Sequence, residues 1–237
     1  MPSDDEIAAR PAGAPELIIF DCDGVLIDSE PIVNRAHATV LAACGIPLGE
    51  ADLLARFCGM SDRDMLAIIE REHGAVPADY AARVAALVDH EYRHTLRPMP
   101  GLIDILPALP MPVCVASSSV PAQIRLGLES TGLLPFFGDR LFSAAMVSRG
   151  KPAPDLFLYA AERIGAEPRA CLVIEDSLPG VAAGVAAGMT VIGFTGGGHC
   201  QPGHAERLGA QGAAMVIAEM AQLPAAIAAV QETLSRA

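Results

Sequence analysis

The chain has 237 residues, of which 52% are hydrophobic and 19% charged, and a formal net charge of −12. That length suits one large domain or a core with a smaller insert, and the apolar content excludes wholesale disorder. The acidic balance argues against nucleic acid and anionic membranes as general partners, so an anionic ligand would need a local positive site.

The chain opens on Met1-Pro2-Ser3-Asp4-Asp5-Glu6, acidic where a signal peptide is basic. Residues 1–15 read as a tail rich in Ala, Pro and acid. No run of about 18 uncharged apolar residues suggests a transmembrane helix. The six cysteines (22, 44, 58, 114, 171, 200) are scattered without a C-x-x-C pair, and three of them sit in apolar strand-like runs. The expectation is a cytoplasmic protein with reduced thiols.

The first element is the apolar run Leu17-Ile18-Ile19-Phe20, the pattern of a buried strand. It ends in Asp21-Cys22-Asp23-Gly24. Strand alternation starts Asp21 and Asp23 on one face, and Gly24 lets the backbone turn sharply. Two like charges at the mouth of a buried strand require a cation between them or a proton on one. The pair therefore points to a divalent metal, a nucleophile or an acid/base pair.

After Glu30 the pattern turns helical. Val33, Ala36, His37, Val40, Leu41 and Cys44 recur at three-to-four spacing, and Gly45 ends the run. Further helices are predicted over 50–56, 61–73 and 77–95, with Ser61 as an N-cap and Gly74 as a stop. No strand is predicted between 31 and 96, which reads as an all-helical insert. Met60, Met65 and Leu66 are expected in its core. Arg56, Arg63, Arg93 and Arg97 are expected on solvated faces, with one or two toward a ligand.

From Pro98 strands alternate with helices. The strands are predicted at 17–20, 112–116, 141–144, 171–174, 190–194 and 214–217. The helices are predicted near 101–108, 121–131, 154–165, 178–187, 203–210 and 223–235. This alternation predicts a parallel sheet covered on both faces, a Rossmann-like α/β core. The core is then discontinuous: residues 1–30 and 97–237, with the all-helical insert at 31–96 between them, a helical cap in the terms of the resemblance given below. Pro31, Pro98, Pro100 and Gly101 are candidate hinge residues.

Ligands of an open parallel sheet sit at the carboxyl ends of its strands. Asp21 and Asp23 follow the first strand, Ser117-Ser118-Ser119 the second, Lys151-Pro152 the third across a loop, and Glu175-Asp176-Ser177 the fourth. A serine triplet before a helix is ordinarily an N-cap, and an acidic pair after a strand a solvated turn. Four segments converging on one edge are harder to read that way. Lys151 is the one lysine among 16 basic residues, a compact point charge where every other is a guanidinium. The carboxylates offer hard oxygen ligands suited to Mg²⁺, and the serines offer donors for an anion. Together they build a site for a phosphoryl group.

The set Asp21-x-Asp23-Gly-Val, Ser117, Lys151-Pro and Glu175-Asp176-Ser177-x-x-Gly180 resembles the haloacid dehalogenase-like hydrolases. The likeness is to the helical-cap branch of phosphoglycolate phosphatase-like and beta-phosphoglucomutase-like enzymes, and it spans about residues 16–220. The resemblance implies that Asp21 is a nucleophile forming an aspartyl-phosphate and that Asp23 is the acid/base. It implies phosphate binding by Ser117, Ser118 and Lys151. It also implies Mg²⁺ held by Asp21, by Asp23 through its backbone carbonyl, by Asp176, and by Glu175 directly or through water. The implied substrate is a small phosphorylated metabolite.

Departures from the mutase relatives favour a phosphatase. Val33 stands where they carry a histidine, and Asp62 where they carry a phosphate-gripping arginine, although Arg63 is adjacent. Glu30 also fits the phosphatases better. Metal-free dehalogenases lack the counterpart of Asp23. A mutase-like isomerase is the first alternative and a non-catalytic binding protein the second. His199, Cys200 and His204 lie in a loop beside three glycines. No second cluster offers zinc-ligand spacing, so loop packing or a substrate contact is expected of them.

Overall fold

The structure, a computed structural model, describes residues 15–57, 60 and 62–234. The expected tail up to residue 14, Cys58, and Ser61 as an N-cap lie outside the described residues.

Strand β1 (Leu17–Phe20) leads into the helical segment α1 (Glu30–Ala43), α2 (Glu50–Phe57), α3 (Asp62–His73) and α4 (Tyr80–His94). The chain then returns through α5 (Leu102–Ile105) and a 3-10 turn to β2 (Val113–Ser117), α6 (Pro121–Ser130) and α7 (Leu134–Phe137). There follow β3 (Leu141–Ser143), α8 (Asp155–Ile164), β4 (Cys171–Glu175), α9 (Leu178–Ala186) and β5 (Thr190–Phe194). Helix α10 (His204–Gln211), β6 (Met215–Ile217) and α11 (Leu223–Leu234) complete it.

The six strands form one parallel sheet in the order β3-β2-β1-β4-β5-β6. Connections run outward from β1 on one side and, after β3, on the other. The crevice at the carboxyl end of β1, between β2 and β4, is therefore the topological switch point where such sheets bind ligands.

The inner strands β1, β2 and β4 are buried throughout, so each reads as a continuous apolar run while its residues still alternate between the two faces. Ile18, Phe20, Val113, Val115, Leu172 and Ile174 join one apolar cluster; Leu17, Ile19, Cys114, Ala116, Cys171 and Val173 join the other. Helices α8, α9 and α10 cover the second face through Leu156, Phe157, Val181 and Leu208. The first face is continuous with the packed interior of α1–α4, through Ile32, Leu41, Leu53, Ile69, Val84, Val88 and Tyr92. Each such side chain, taken fully out of water, contributes about 1.5–3 kcal/mol.

Two contacts fix how the helical segment meets the sheet. Its entry and exit run side by side: Ile27 bridges Pro98 antiparallel, Asp28 N–H donates to the Arg97 carbonyl, and Met99 N–H to the Leu26 carbonyl. The foot of α4 also lies against α6 at Gly127. A Cβ there would fall 2.8 Å from Ile27, 3.6 Å from Tyr92 and 3.8 Å from Leu96. A larger side chain at position 127 would press on the Ile27 side chain, and Tyr92 packs at ordinary contact distance beside it.

The differences from the sequence expectations are local. Helix α4 begins at Tyr80 rather than 77, because Pro77 opens a turn closed by Tyr80 N–H. The short α7, between Gly132 and Gly138, was not expected; four residues carry too little periodicity to announce themselves. The second strand slides by one to Ser117, and the expected 101–108 helix splits into α5 and a 3-10 turn. Met60 is exposed, against the expectation of a core role, whereas Met65 and Leu66 pack inside. The described cysteines at 22, 44, 114, 171 and 200 are free thiols. No helix among the described residues is long and apolar enough to cross a membrane.

Candidate active site

The four segments singled out in the sequence meet at the carboxyl end of β1. Asp21 follows the strand directly, its N–H still bonded to the Ile174 carbonyl of β4. Beyond it the chain leaves the sheet in a tight loop, with Val25, Leu26 and Ile27 N–H all directed at the Cys22 carbonyl. The regular strand therefore stops at Phe20, and the two aspartates take different side-chain partners.

Asp21 belongs to an ionic cluster. Lys151 Nζ donates to Asp21 Oδ1 at 2.8 Å and to Glu175 Oε1 at 2.7 Å, with the lysine side chain only 4% exposed. Glu175 Oε2 accepts from Ser177 N–H and Ser177 Oγ. Ser177 in turn caps α9, its Oγ accepting from Gly180 N–H at 3.1 Å. A side chain at position 180 would overlap the Glu175 carboxylate, with a Cβ 1.6 Å from Oε1. Gly180 is thus the space that Glu175 occupies.

Asp23 sits in a cage of hydroxyls. Oδ1 accepts from Ser29 Oγ at 2.8 Å and Tyr92 Oη at 3.4 Å; Oδ2 accepts from Ser119 Oγ at 2.7 Å and Ser117 Oγ at 3.3 Å. Ser29 precedes α1 but makes no capping bond there, its hydroxyl being committed to Asp23. The serine triplet does not cap α6 either, because that helix starts after Val120. Ser118 is exposed beside the buried Ser117.

Asp176 completes the rim. Its Oδ2 accepts from His199 Nε2 at 3.0 Å, and its backbone carbonyl accepts from His204 Nε2 at 2.6 Å. Gly24, at φ +76°, lies under this pair, and a Cβ would fall 1.9 Å from Asp176 Oδ2.

The electrostatics follow from this crowding. Burial pushes the Asp21 carboxyl well above the usual carboxylate range; Lys151 opposes the rise, while Glu175, Asp176 and Asp23 add to it. Burial likewise raises Asp176, with His199 opposing. Burial disfavours the Lys151 ammonium, but Asp21 and Glu175 more than offset it, so its pKa lies above normal. Burial would also lower His199, yet its bond to Asp176 reverses this and carries it to about 11. Glu30, at the start of α1, is pushed up to about 7, mainly by burial.

Asp21, Glu175 and Asp176 bring carboxylate oxygens within 4.8 Å of one another, all three residues buried. Three buried carboxylates around one point are what a hard divalent cation neutralises, and the all-oxygen donor set fits Mg²⁺. The Asp23 carboxylate, engaged by its hydroxyls, is outside this cluster.

The arginines of the helical segment, Arg56, Arg63, Arg93 and Arg97, are exposed, as expected of residues on solvated faces, and Arg56 pairs with Glu72. Asp62 faces His37 of α1 at 3.6 Å, and His37 Nδ1 meets the Tyr80 hydroxyl at 2.8 Å. Ser119, expected with the other serines as a donor for an anion, instead donates to Asp23, and Ser29 and Tyr92 are site residues that the sequence reading does not single out. Ser29 adjoins a recognised motif and was within reach of the sequence. Tyr92 lies 69 positions from Asp23 on an amphipathic helix and carried no signal. His199 and His204, of which loop packing or a substrate contact was expected, both bond to Asp176.

Comparison with known proteins agrees with this geometry. The profile of the haloacid dehalogenase-like hydrolases matches residues 15–188. The chain is 34% identical over 193 residues to 6-phosphogluconate phosphatase of Escherichia coli (strain K12), covering 79% of this chain and 86% of that one. It is 33% identical over 178 residues to fructose-1-phosphate phosphatase YqaB of the same organism, covering 74% and 94%. Among solved structures, a conserved haloacid dehalogenase-like protein of Agrobacterium tumefaciens str. C58 superposes with a TM-score of 0.83 at 38% identity, covering 91% of this chain and 99% of that one. With the ordered motifs at one sheet edge and helices inserted after β1, the chain belongs to the haloacid dehalogenase-like hydrolase family, in its helical-cap branch.

Proposed function

We propose that this haloacid dehalogenase-like phosphatase hydrolyses a small phosphomonoester, a sugar, sugar-acid or polyol phosphate, in a Mg²⁺-dependent reaction through an aspartyl-phosphate on Asp21. The observation that carries the reading is the buried group of Asp21, Glu175, Asp176 and Lys151 beside the hydroxyl-held Asp23. The relatives named for 6-phosphogluconate and fructose 1-phosphate support the substrate class.

In this reading Asp21, Glu175, Asp176 and the backbone carbonyl of Asp23 hold Mg²⁺. Bound there, the ion supplies charge neutralisation to the transferring phosphoryl group. An Asp21 oxygen attacks phosphorus as the bond to the ester oxygen breaks, and Asp23 gives that oxygen its proton. Asp23 then takes a proton from the water that attacks the aspartyl-phosphate. Inorganic phosphate leaves and Asp21 is regenerated. Lys151, Ser117 and Ser118 hold the phosphoryl oxygens. Residues 31–96 act as the cap over the core, closing about the paired segments at Ile27 and Pro98 to exclude bulk water.

The test is phosphate release from an aryl phosphate and from a panel of phosphorylated metabolites. Turnover is expected with Mg²⁺, is abolished by EDTA, and is absent in Asp21→Asn, which keeps the Lys151–Glu175 pair and so the fold. Silence across the whole panel with Mg²⁺ present overturns the proposal. Phosphorus NMR on hexose 1-phosphate distinguishes the mutase alternative, which requires hexose 6-phosphate to accumulate before free phosphate.

A further inference from the structure

The loop after β5 and the first residue of α10 are unused by the reaction described above, yet together they grip one proposed metal ligand at two points. His199 Nε2 donates to Asp176 Oδ2 at 3.0 Å, with both side chains under a tenth exposed. His204 Nε2 donates to the Asp176 backbone carbonyl, and Arg207 donates to His204 Nδ1 at 3.1 Å, which fixes the tautomer that keeps a proton on Nε2. The His199 ring lies in a slot made by two glycines. A Cβ on Gly24 would fall 2.8 Å from its Cε1, and a Cβ on Gly197 would fall 2.7 Å from the same atom. The next residue, Gly198, anchors the loop by donating its N–H to Asp28 Oδ1 at 3.3 Å, at the entry to the helical segment.

A carboxylate has two oxygens. With Oδ2 held by an imidazole N–H, the other remains for a cation, and the side chain is fixed before the ion arrives. Carboxylates that ligate metals are commonly oriented by such an outer hydrogen bond, and its loss weakens metal affinity about 10–100-fold.

We propose that His199 is a positioning residue that presents Asp176 to the metal, so that the loop after β5 sets the affinity of the site for Mg²⁺. This rests on the metal reading given under the proposed function. His199 itself touches neither the phosphoryl group nor the ion; it acts through Asp176, and the glycines at 24 and 197 are the space it needs.

The experiment is calorimetric titration of Mg²⁺ into the full chain, the His199→Ala variant and the His199→Gln variant, each checked for folding by circular dichroism. The unaltered protein is expected to bind. His199→Ala is expected to bind about 10–100-fold more weakly. His199→Gln, which keeps an N–H donor, recovers most of the loss. In turnover, the half-saturating Mg²⁺ concentration rises in His199→Ala while KM for the substrate at saturating Mg²⁺ stays put. If His199→Ala does not fold, Gly197→Ala serves in its place, since its methyl displaces the ring without removing it, and the same weakening is expected. Equal or tighter Mg²⁺ binding in the variant overturns the inference and leaves the metal reading standing; a tighter value would make His199 a competitor of the ion. Absence of Mg²⁺ binding by the unaltered protein overturns both.

Discussion

The hydroxyl of Tyr92, near the end of α4, lies 3.4 Å from the carboxylate of Asp23, which follows β1. The contact ties the last helix of the insert to the proposed acid/base. Helix α4 packs against α6 beside Gly127, and the chain leaves and re-enters the core at one paired crossing, which together bring the ring to this edge. Tyr92→Phe removes only the hydroxyl and keeps the buried ring. Activity is expected to fall about 3–10-fold, the worth of one modest hydrogen bond, with the melting temperature nearly unchanged. Steady-state kinetics and a thermal melt check this.

Lys151 is expected to matter for folding as well as turnover. It is the ammonium shared by buried Asp21 and Glu175. Lys151→Met leaves two buried carboxylates without it, at a cost of about 3–5 kcal/mol. Urea denaturation in EDTA should show the loss, and added Mg²⁺ should restore part of it by neutralising the same carboxylates. A variant as stable as the parent in EDTA would mean that the pair is not seated as described.

Two glycines are predicted to be intolerant for different reasons. At Gly24 the φ of +76° costs an L residue about 1–2 kcal/mol before any contact is considered. A Cβ there also strikes Asp176 Oδ2. At Gly180 the backbone is ordinary helix, and the obstacle is the Glu175 carboxylate alone. Gly24→Ala should lower both stability and Mg²⁺ affinity. Gly180→Ala should displace Glu175 and lower kcat by about tenfold or more, on the scale of a misplaced charged group. Denaturation curves, metal titration and kinetics separate the two effects.

Glu30 supplies a pH dependence whose sign is fixed by burial. Its pKa rises from 4.5 to about 7 in the folded chain, mainly through burial, with His199 opposing. The folded state then holds the proton more tightly than the unfolded one. The stability Glu30 contributes is complete below 4.5 and is lost as pH rises through about 7. Glu30→Gln should match the parent near the acid end of that window and exceed it above, as read by urea denaturation at several pH values. A difference that does not change with pH would refute the assignment.

The chain itself determined the sheet and the principal contents of the rim. An apolar run ending in Asp-x-Asp-Gly, a serine after the second strand, one lysine and an acidic pair after the fourth are local patterns, and strand–helix alternation brings them to one edge whatever the details. Which carboxylate would meet which partner was not local information. Asp21 and Asp23 are two residues apart, yet one pairs with Lys151, 130 positions away, and the other with Ser29, Tyr92, Ser117 and Ser119. Tyr92 and His199 reach the rim through a helix crossing and a glycine-lined slot. Such contacts are set by how close two backbones can come in three dimensions, and no spacing along the chain encodes that distance.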